Sequence, residues 1–229
     1  IVKVYNGVNT DMFRPGIDAG KIRNEFGFGE HPVIGMAASM VEWKGHRYFL
    51  EAAVEIVKKF PCTKFIIAGG EPEHDSIKDD LEKYVRDYGL TGSVVFAGFR
   101  EDIPEILASL DVFVLPSANE PFGRVIIEAM ACGKPVISTK GGGVPEIIDH
   151  GKDGILVPVA DSDAIAEAVE RLLNDTLFAD KIVSNGLRKV RERFTIEIHV
   201  NSIEKLYQQI SPSGKLVYTD ERTEHDERS

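Results

Sequence analysis

The sequence predicts a doubly wound α/β fold with a mostly parallel sheet, and three observations predict it. Apolar runs of four or five residues recur, such as Val33–Ala37 and Val112–Leu115, short enough to be strands buried on both faces. Between them lie polar loops and segments with one apolar helical face, the alternation that lays helices over a parallel sheet. The stretch Asp111–Pro135, DVFVLPSANEPFGRVIIEAMACGKP, then shows a whole strand–loop–helix unit. Its apolar run is followed by a polar turn, Pro116–Phe122, and helix signals run from Gly123 through VIIEAMA. Gly133 supplies a stop and Pro135 forbids resumption.

In chain order, Ile1–Val4 alternates like a strand end and Asn6-Gly7 is a turn signal. Residues 17–31 are polar with one short helical stretch, Lys21–Phe26. Val33–Ala37 is the first buried strand. The loop Ala38–Gly45 leads into a helix with Phe49, Ala53, Ile56 and Phe60 on one face. Trp43 in that loop reads as an exposed or half-packed aromatic rather than a ligand platform. Lys64–Ala68 is the second strand and ends in Gly69-Gly70, which is not a G-x-G-x-x-G dinucleotide fingerprint. A helix over Ser76–Tyr88 precedes a strand at Ser93–Phe96. Gly98-Phe99-Arg100 follows that strand, and a helix over Glu101–Ser109 leads into the central stretch.

The central unit aims a helix N-terminus at the carboxyl edge of the sheet, where α/β proteins bind ligands. Unpaired amides at Gly123, Arg124 and Val125 make that point attractive to phosphate. Glu120 precedes the helix and Glu128 lies within it, about 7.5 Å along its axis from Gly123 at 1.5 Å per residue. A carboxylate beside a phosphate needs other donors, and sugar or ribose hydroxyls supply them. Beyond it, Val136–Ser138 is a strand, and Gly141–Gly143 opens a short helix with Pro145 in its first turn. Those three glycines either expose amides to an anion or make a tight turn. Gly154–Val157 is the last strand. Asp161-Ser162-Asp163 has D-x-D spacing, but Asp161 is placed to cap a helix striped by Ile165, Val169 and Leu172. Ile196, Val200, Ile203, Tyr207 and Ile210 form one face of a terminal helix, and the polar run from Ser211 onward is expected to be disordered.

Composition excludes several classes. A net charge of −10 leaves no nucleic-acid footprint, so any phosphate is held locally. Two cysteines, Cys62 and Cys132, imply no disulfide framework. The six histidines show no metal-ligand spacing, and no apolar run approaches membrane-spanning length. The chain begins with Ile1, which suggests a fragment of a longer protein.

The E-x7-E pattern of Glu120 and Glu128, with Phe122-Gly123 after the first and Ala129-Met130 after the second, resembles the donor-site motif of family 4 retaining glycosyltransferases. Those enzymes have GT-B architecture, two facing Rossmann-like domains, and the likeness is to the second. It continues in order through Val33 to Lys44-Gly45, Phe65–Gly70, Val94–Gly98, Gly142 to Glu146 and Gly151–Val157. The resemblance implies that residues 1–30 lead in from a first domain, 31–195 form a nucleotide-sugar-binding Rossmann-like domain, and 196–210 form a helix crossing to the first domain, with 211–229 as the tail.

It further implies transfer of a sugar from a nucleoside diphosphate sugar to an acceptor hydroxyl, with retention of configuration. Lys44 and Glu120 are the implied catalytic residues. Lys44, Ser39 and the amides of Gly123, Arg124 and Val125 would hold the diphosphate. Glu120, Phe122 and Gly123 would hold the sugar, with Glu120 orienting hydroxyls rather than attacking. Glu128 would hold the ribose, and Phe99 and Arg100 the base. The acceptor, a saccharide, lipid or small molecule, would sit on the first domain, so that this half alone is expected to be inactive. No cofactor, metal or nucleic acid is implied, and the setting is cytoplasmic or peripheral to a membrane through the first domain. The chain departs from the pattern at Ser39, where relatives carry an Arg, and at Ala38, where they carry Gly. That removes a bidentate charge, leaving Arg47 or Arg124 to compensate. Two other readings stay open: a nucleotide-sugar epimerase of similar architecture, and a non-catalytic nucleotide-sugar module serving a partner subunit.

Overall fold

The computed structural model describes residues 2–72, 74 and 76–210, so the expected disordered tail lies outside the described residues. The strands are β1 (Val33–Ala37), β2 (Lys64–Ala68), β3 (Val94–Gly98), β4 (Val112–Leu115), β5 (Val136–Thr139) and β6 (Ile155–Val157). All neighbours pair in parallel, in the order β3-β2-β1-β4-β5-β6. Their near-continuous apolar content has a simple cause: helices cover both faces.

The helices are α1 (Gly20–Glu25), α2 (His46–Lys59), α3 (Lys78–Asp87), α4 (Ile103–Ser109), α5 (Arg124–Ala131), α6 (Ser162–Asn174), α7 (Thr176–Arg193) and α8 (Ile196–Ile210). One core joins α2, α3 and α6 to one face of the sheet through Phe49, Phe65, Leu81 and Val169. The other joins α1, α4, α5 and α7 to the opposite face through Phe113, Ile126, Ile127 and Val190. Helix α5 closes in a Schellman turn, Lys134 N–H donating to Ala129 O and Gly133 N–H to Met130 O, with Gly133 left-handed at φ 72°.

Several expectations need correction. Among the described residues the alternation at the chain start forms no strand; Val2 and Lys3 are exposed, and the next pairing along the chain is an isolated bridge of Val8 with Thr195. Phe60 caps α2 instead of extending it. Gly98 belongs to β3, and the turn after Gly143 is a single 3-10 turn, Val144–Glu146. Helix α7 had no reading of its own in the sequence. Its buried face mixes Ile182, Gly186, Lys189 and Val190, which blurs the apolar period. Lys189 is tolerated there because Asp153 and Asp149 accept from it at 2.8 and 3.1 Å. On α8, Val200 and Tyr207 face solvent while Ile196 and Ile203 are half-buried.

Asp161 accepts from Ala164 N–H at 2.9 Å and is the N-cap of α6. Asp161→Ala is therefore expected to lower unfolding stability by about 1 kcal/mol in urea titrations. The loss should be the same with magnesium or with EDTA. A metal-dependent difference would restore the D-x-D reading.

Candidate functional site

The site follows from strand order. Strands β1 and β4 are neighbours, yet β1 feeds α2 on one face and β4 feeds α5 on the other. Their loops part at the carboxyl edge and leave a crevice between them, the switch point of a doubly wound sheet.

Glycines let these loops close on each other. Gly45, left-handed at φ 77°, lies where any Cβ would collide with the Pro116 carbonyl. Cβ atoms at Gly141, Gly142 and Gly143 would collide with the carbonyl oxygens of Ala118, Glu120 and Pro121. The triple glycine thus serves close backbone packing. It clamps the loop that carries Glu120, with Gly143 N–H donating to Glu120 O at 2.8 Å. Thr139 Oγ1 donates to Ser117 O, and Ala118 N–H donates to Trp43 O at 2.7 Å. The two functional loops are therefore tied to each other and to β5.

Between them opens a cleft of about 400 Å³, lined by Lys44, Glu120, Phe122, Gly123, Arg124, Val125 and Glu128, with Asn6, Ala37 and Pro121. Lys44 Nζ donates to Glu120 Oε2 at 2.7 Å, and Ser117 Oγ donates to the same oxygen at 3.2 Å. The ammonium also stands 4.0 Å from the centroid of the Trp43 ring. Gly123 is the left-handed N-cap of α5 and offers no side chain to the helix end. The first bond there is Ile126 N–H to Gly123 O, so the amides of Arg124 and Val125 precede the helical ladder and border the cleft.

Arg124 reaches back to Glu128 Oε1 at 3.5 Å. Burial pushes the Glu128 carboxyl above its ordinary value, opposed in part by Arg124. Behind the Lys44 loop, His46 opens α2 fully buried, and burial pushes its pKa down to about 4. It packs there as a neutral ring near the backbone of Ala38 and Val41, whose pull on its proton is outweighed by burial.

Of the remaining sequence-derived residues, Ser39, Phe99 and Arg100 lie apart from this cluster. Ser39 is exposed, in a loop anchored by Ala38 N–H to Ala68 O and Met40 N–H to Gly70 O, and does not line the cleft. Phe99 is 76% exposed and stands over Gly70. The Arg100 guanidinium is engaged by Asp102 and Glu25 through four bonds of 2.7–2.9 Å. Arg47 is drawn to Glu51 and the Tyr84 ring, which leaves Arg124 as the arginine on the cleft. Phe122 packs its ring on Tyr5 and Phe194, with centroids 6.0 and 6.1 Å away. Sequence reasoning missed Asn6 and Ala37. Asn6 registered only as half of a turn signal, and Ala37 only as the last residue of a strand.

Among the described residues, no group of three or more His, Cys, Asp or Glu side chains is placed to hold a metal ion. No described helix is long and apolar enough to cross a membrane.

A family profile described as "Glycosyl transferases group 1" matches residues 31–175. The chain is 36% identical over 179 residues to a GDP-mannose-dependent phosphatidylinositol monomannoside mannosyltransferase of Mycolicibacterium smegmatis, a span of 74% of this chain and 46% of the relative. It is 30% identical over 192 residues to an alpha-D-kanosaminyltransferase of Streptomyces kanamyceticus, 83% of this chain and 49% of that one. The chain thus spans about half the length of these relatives. Among solved structures, Anabaena HepE in complex with UDP and glucose superposes with a TM-score of 0.82 at 32% identity, over 89% of this chain and 56% of HepE. The C-terminal domain of a glycosyl transferase group 1 protein, LpcC of Francisella tularensis, superposes with a TM-score of 0.74 at 33% identity. That match covers 83% of this chain and all of the solved domain.

The raised Glu128 carboxyl has a stability consequence. A group that holds its proton more tightly when folded contributes stability below its unfolded value, near 4.5, and loses it as pH rises through the folded value. Glu128→Gln is expected to be more stable than the parent in chemical denaturation at pH 7. The advantage should fade as pH falls below 4.5. A variant less stable at pH 7 would mean that the pair with Arg124 outweighs desolvation.

Proposed function

Since the chain belongs to the glycosyl transferases group 1 family and has the fold of GT-B enzymes, we propose that it is the donor-binding half of a retaining glycosyltransferase. The protein would move a sugar from a nucleoside diphosphate sugar to an acceptor hydroxyl. One observation carries this reading. A single cleft gathers a lysine, the open end of a helix and two carboxylates at the switch point of the sheet.

Each group has a matching task. Lys44 and the amides of Arg124 and Val125 receive the diphosphate, and their fixed dipoles stabilise its charge as it leaves. Arg124 supplies, from the second loop, the charge that Ser39 lacks on the first. Glu128 accepts from the ribose hydroxyls, which replace the weak 3.5 Å contact to Arg124. Glu120 accepts from hydroxyls of the transferred sugar. Phe122 and Gly123 meet the sugar along their backbone, since the Phe122 ring is committed to Tyr5 and Phe194. The base lies toward Phe99, whose ring is free, while Arg100 holds that loop in shape through Glu25 and Asp102. Charge stabilisation is assigned to these protein groups, with no metal given a role. Retention of configuration rests on the resemblance to family 4 enzymes. The acceptor is assigned to a facing domain.

Relatives differ in donor, UDP and glucose being bound in HepE and GDP-mannose serving the mannosyltransferase. UDP, GDP and ADP are therefore the ligands to screen by thermal stabilisation. Lys44→Ala should weaken the preferred diphosphate by roughly 1.5–3 kcal/mol, the worth of a hydrogen bond to a charged group. That is about ten- to a hundredfold in affinity by calorimetry. With a labelled nucleotide sugar, the intact protein should yield a glycoside whose anomeric configuration, read by NMR, matches the donor. C2 epimerisation or an unchanged donor would favour the epimerase or the non-catalytic module instead.

A further inference from the structure

We propose that Glu120 makes the site prefer the intact donor over the freed diphosphate, acting through its ion pair with Lys44. This rests on the donor-site reading above and adds a second task to a residue that otherwise only holds the sugar.

The cleft is electrically balanced before anything binds. Two cations, Lys44 and Arg124, line it together with two carboxylates, Glu120 and Glu128. The tighter of the two pairs is Lys44–Glu120, at 2.7 Å, with both side chains largely out of water. The Lys44 ammonium is occupied on one side by Glu120 and on another by the Trp43 ring. A phosphate that docks on Lys44 must therefore approach the Glu120 carboxylate as well. In a partly desolvated site the Lys44–Glu120 attraction is far stronger than in water, so turning the ammonium toward a phosphate costs more while the carboxylate holds it.

The two forms of the ligand answer that carboxylate differently. A nucleotide sugar presents hydroxyl donors to Glu120, and its second phosphate is esterified. When the glycosidic carbon–oxygen bond breaks, its electron pair leaves with the phosphate. The sugar carbon takes the acceptor oxygen, and the acceptor hydroxyl proton passes to solvent water. The terminal phosphate now carries an additional negative charge, and the hydroxyls that satisfied Glu120 have gone. The carboxylate is held against this phosphate by its clamp, since Gly143 N–H fixes its backbone and Ser117 Oγ its side chain. Glu120 then competes with the diphosphate for Lys44 and helps to expel it.

A residue that serves only the sugar would leave affinity for the bare diphosphate unchanged when neutralised. Glu120→Gln in the intact protein is instead expected to bind the diphosphate about tenfold more tightly by calorimetry. The diphosphate used is whichever of UDP, GDP and ADP stabilises the parent most. The gain should vanish when Lys44→Ala is present as well, and affinity for the corresponding nucleotide sugar should not improve. Glu120→Ala removes the charge without leaving a polar group to satisfy, and gives the same readout if the Gln variant is unstable. Unchanged or weaker diphosphate binding by a folded variant overturns the proposal. So does an equal gain in the Lys44→Ala background, which would mean simple repulsion without competition. If the parent binds none of the three diphosphates, the donor-site reading itself fails and this inference falls with it.

Discussion

Every functional feature of this chain depends on the reversal of strand order between β1 and β4. A parallel strand that moves to its neighbour by a right-handed crossover must send its helix to a defined face. With β2 on one side of β1 and β5 on the other side of β4, the two helices are forced onto opposite faces. The crevice between their loops is a consequence of chain handedness, and no side chain is needed to open it. What side chains decide is how narrow it becomes. Gly45 against Pro116, and Gly141 to Gly143 against residues 118–121, bring main chains closer than any Cβ would allow. The carboxyl edge is therefore a rigid rim of backbone, and Glu120 and Lys44 are mounted on it within one hydrogen bond of each other.

This rigidity bears on how a site of no net charge handles an anion. The chain carries −10, so long-range repulsion opposes any phosphate ligand. Local devices have to prevail: a helix end whose amides cannot be neutralised, and an ammonium shared among several partners. On the proposed reading, the carboxylates that would blunt attraction for a diphosphate are the same groups that would receive hydroxyls. Affinity would thereby be tied to the presence of a sugar and a ribose instead of to charge alone. The half-buried Glu128, its carboxyl pushed above its ordinary value by desolvation, shows stability given up in the same region.

The fold was legible because strand burial on both faces leaves short unbroken apolar runs. Val33–Ala37, Lys64–Ala68 and Val112–Leu115 are read from the sequence with the bounds they have in the structure. Helix α7 was not legible, since a buried Lys189 and a Gly186 occupy its inner face and look polar or small in sequence. The terminal stripe of α8 was read from its period, but periodicity says nothing of cover, and Val200 and Tyr207 lie open.

By itself the sequence determined which residues have the chemistry of the cleft and on which elements they ride. The spacing of Glu120 and Glu128 around a glycine at a helix start is a local matter, and local geometry follows from local sequence. Only the tertiary structure decided who pairs with whom. Lys44 and Glu120 are separated by 76 residues, and nothing in either segment encodes that the other's charge will be neutralised by it. The same holds for Arg100, drawn away by Glu25 from 75 residues earlier, and for Asn6, brought to the cleft from the chain start. The three glycines left two readings open because a glycine in sequence states only that a Cβ is absent. Whether that space holds an anion or another main chain depends on what the rest of the fold brings against it.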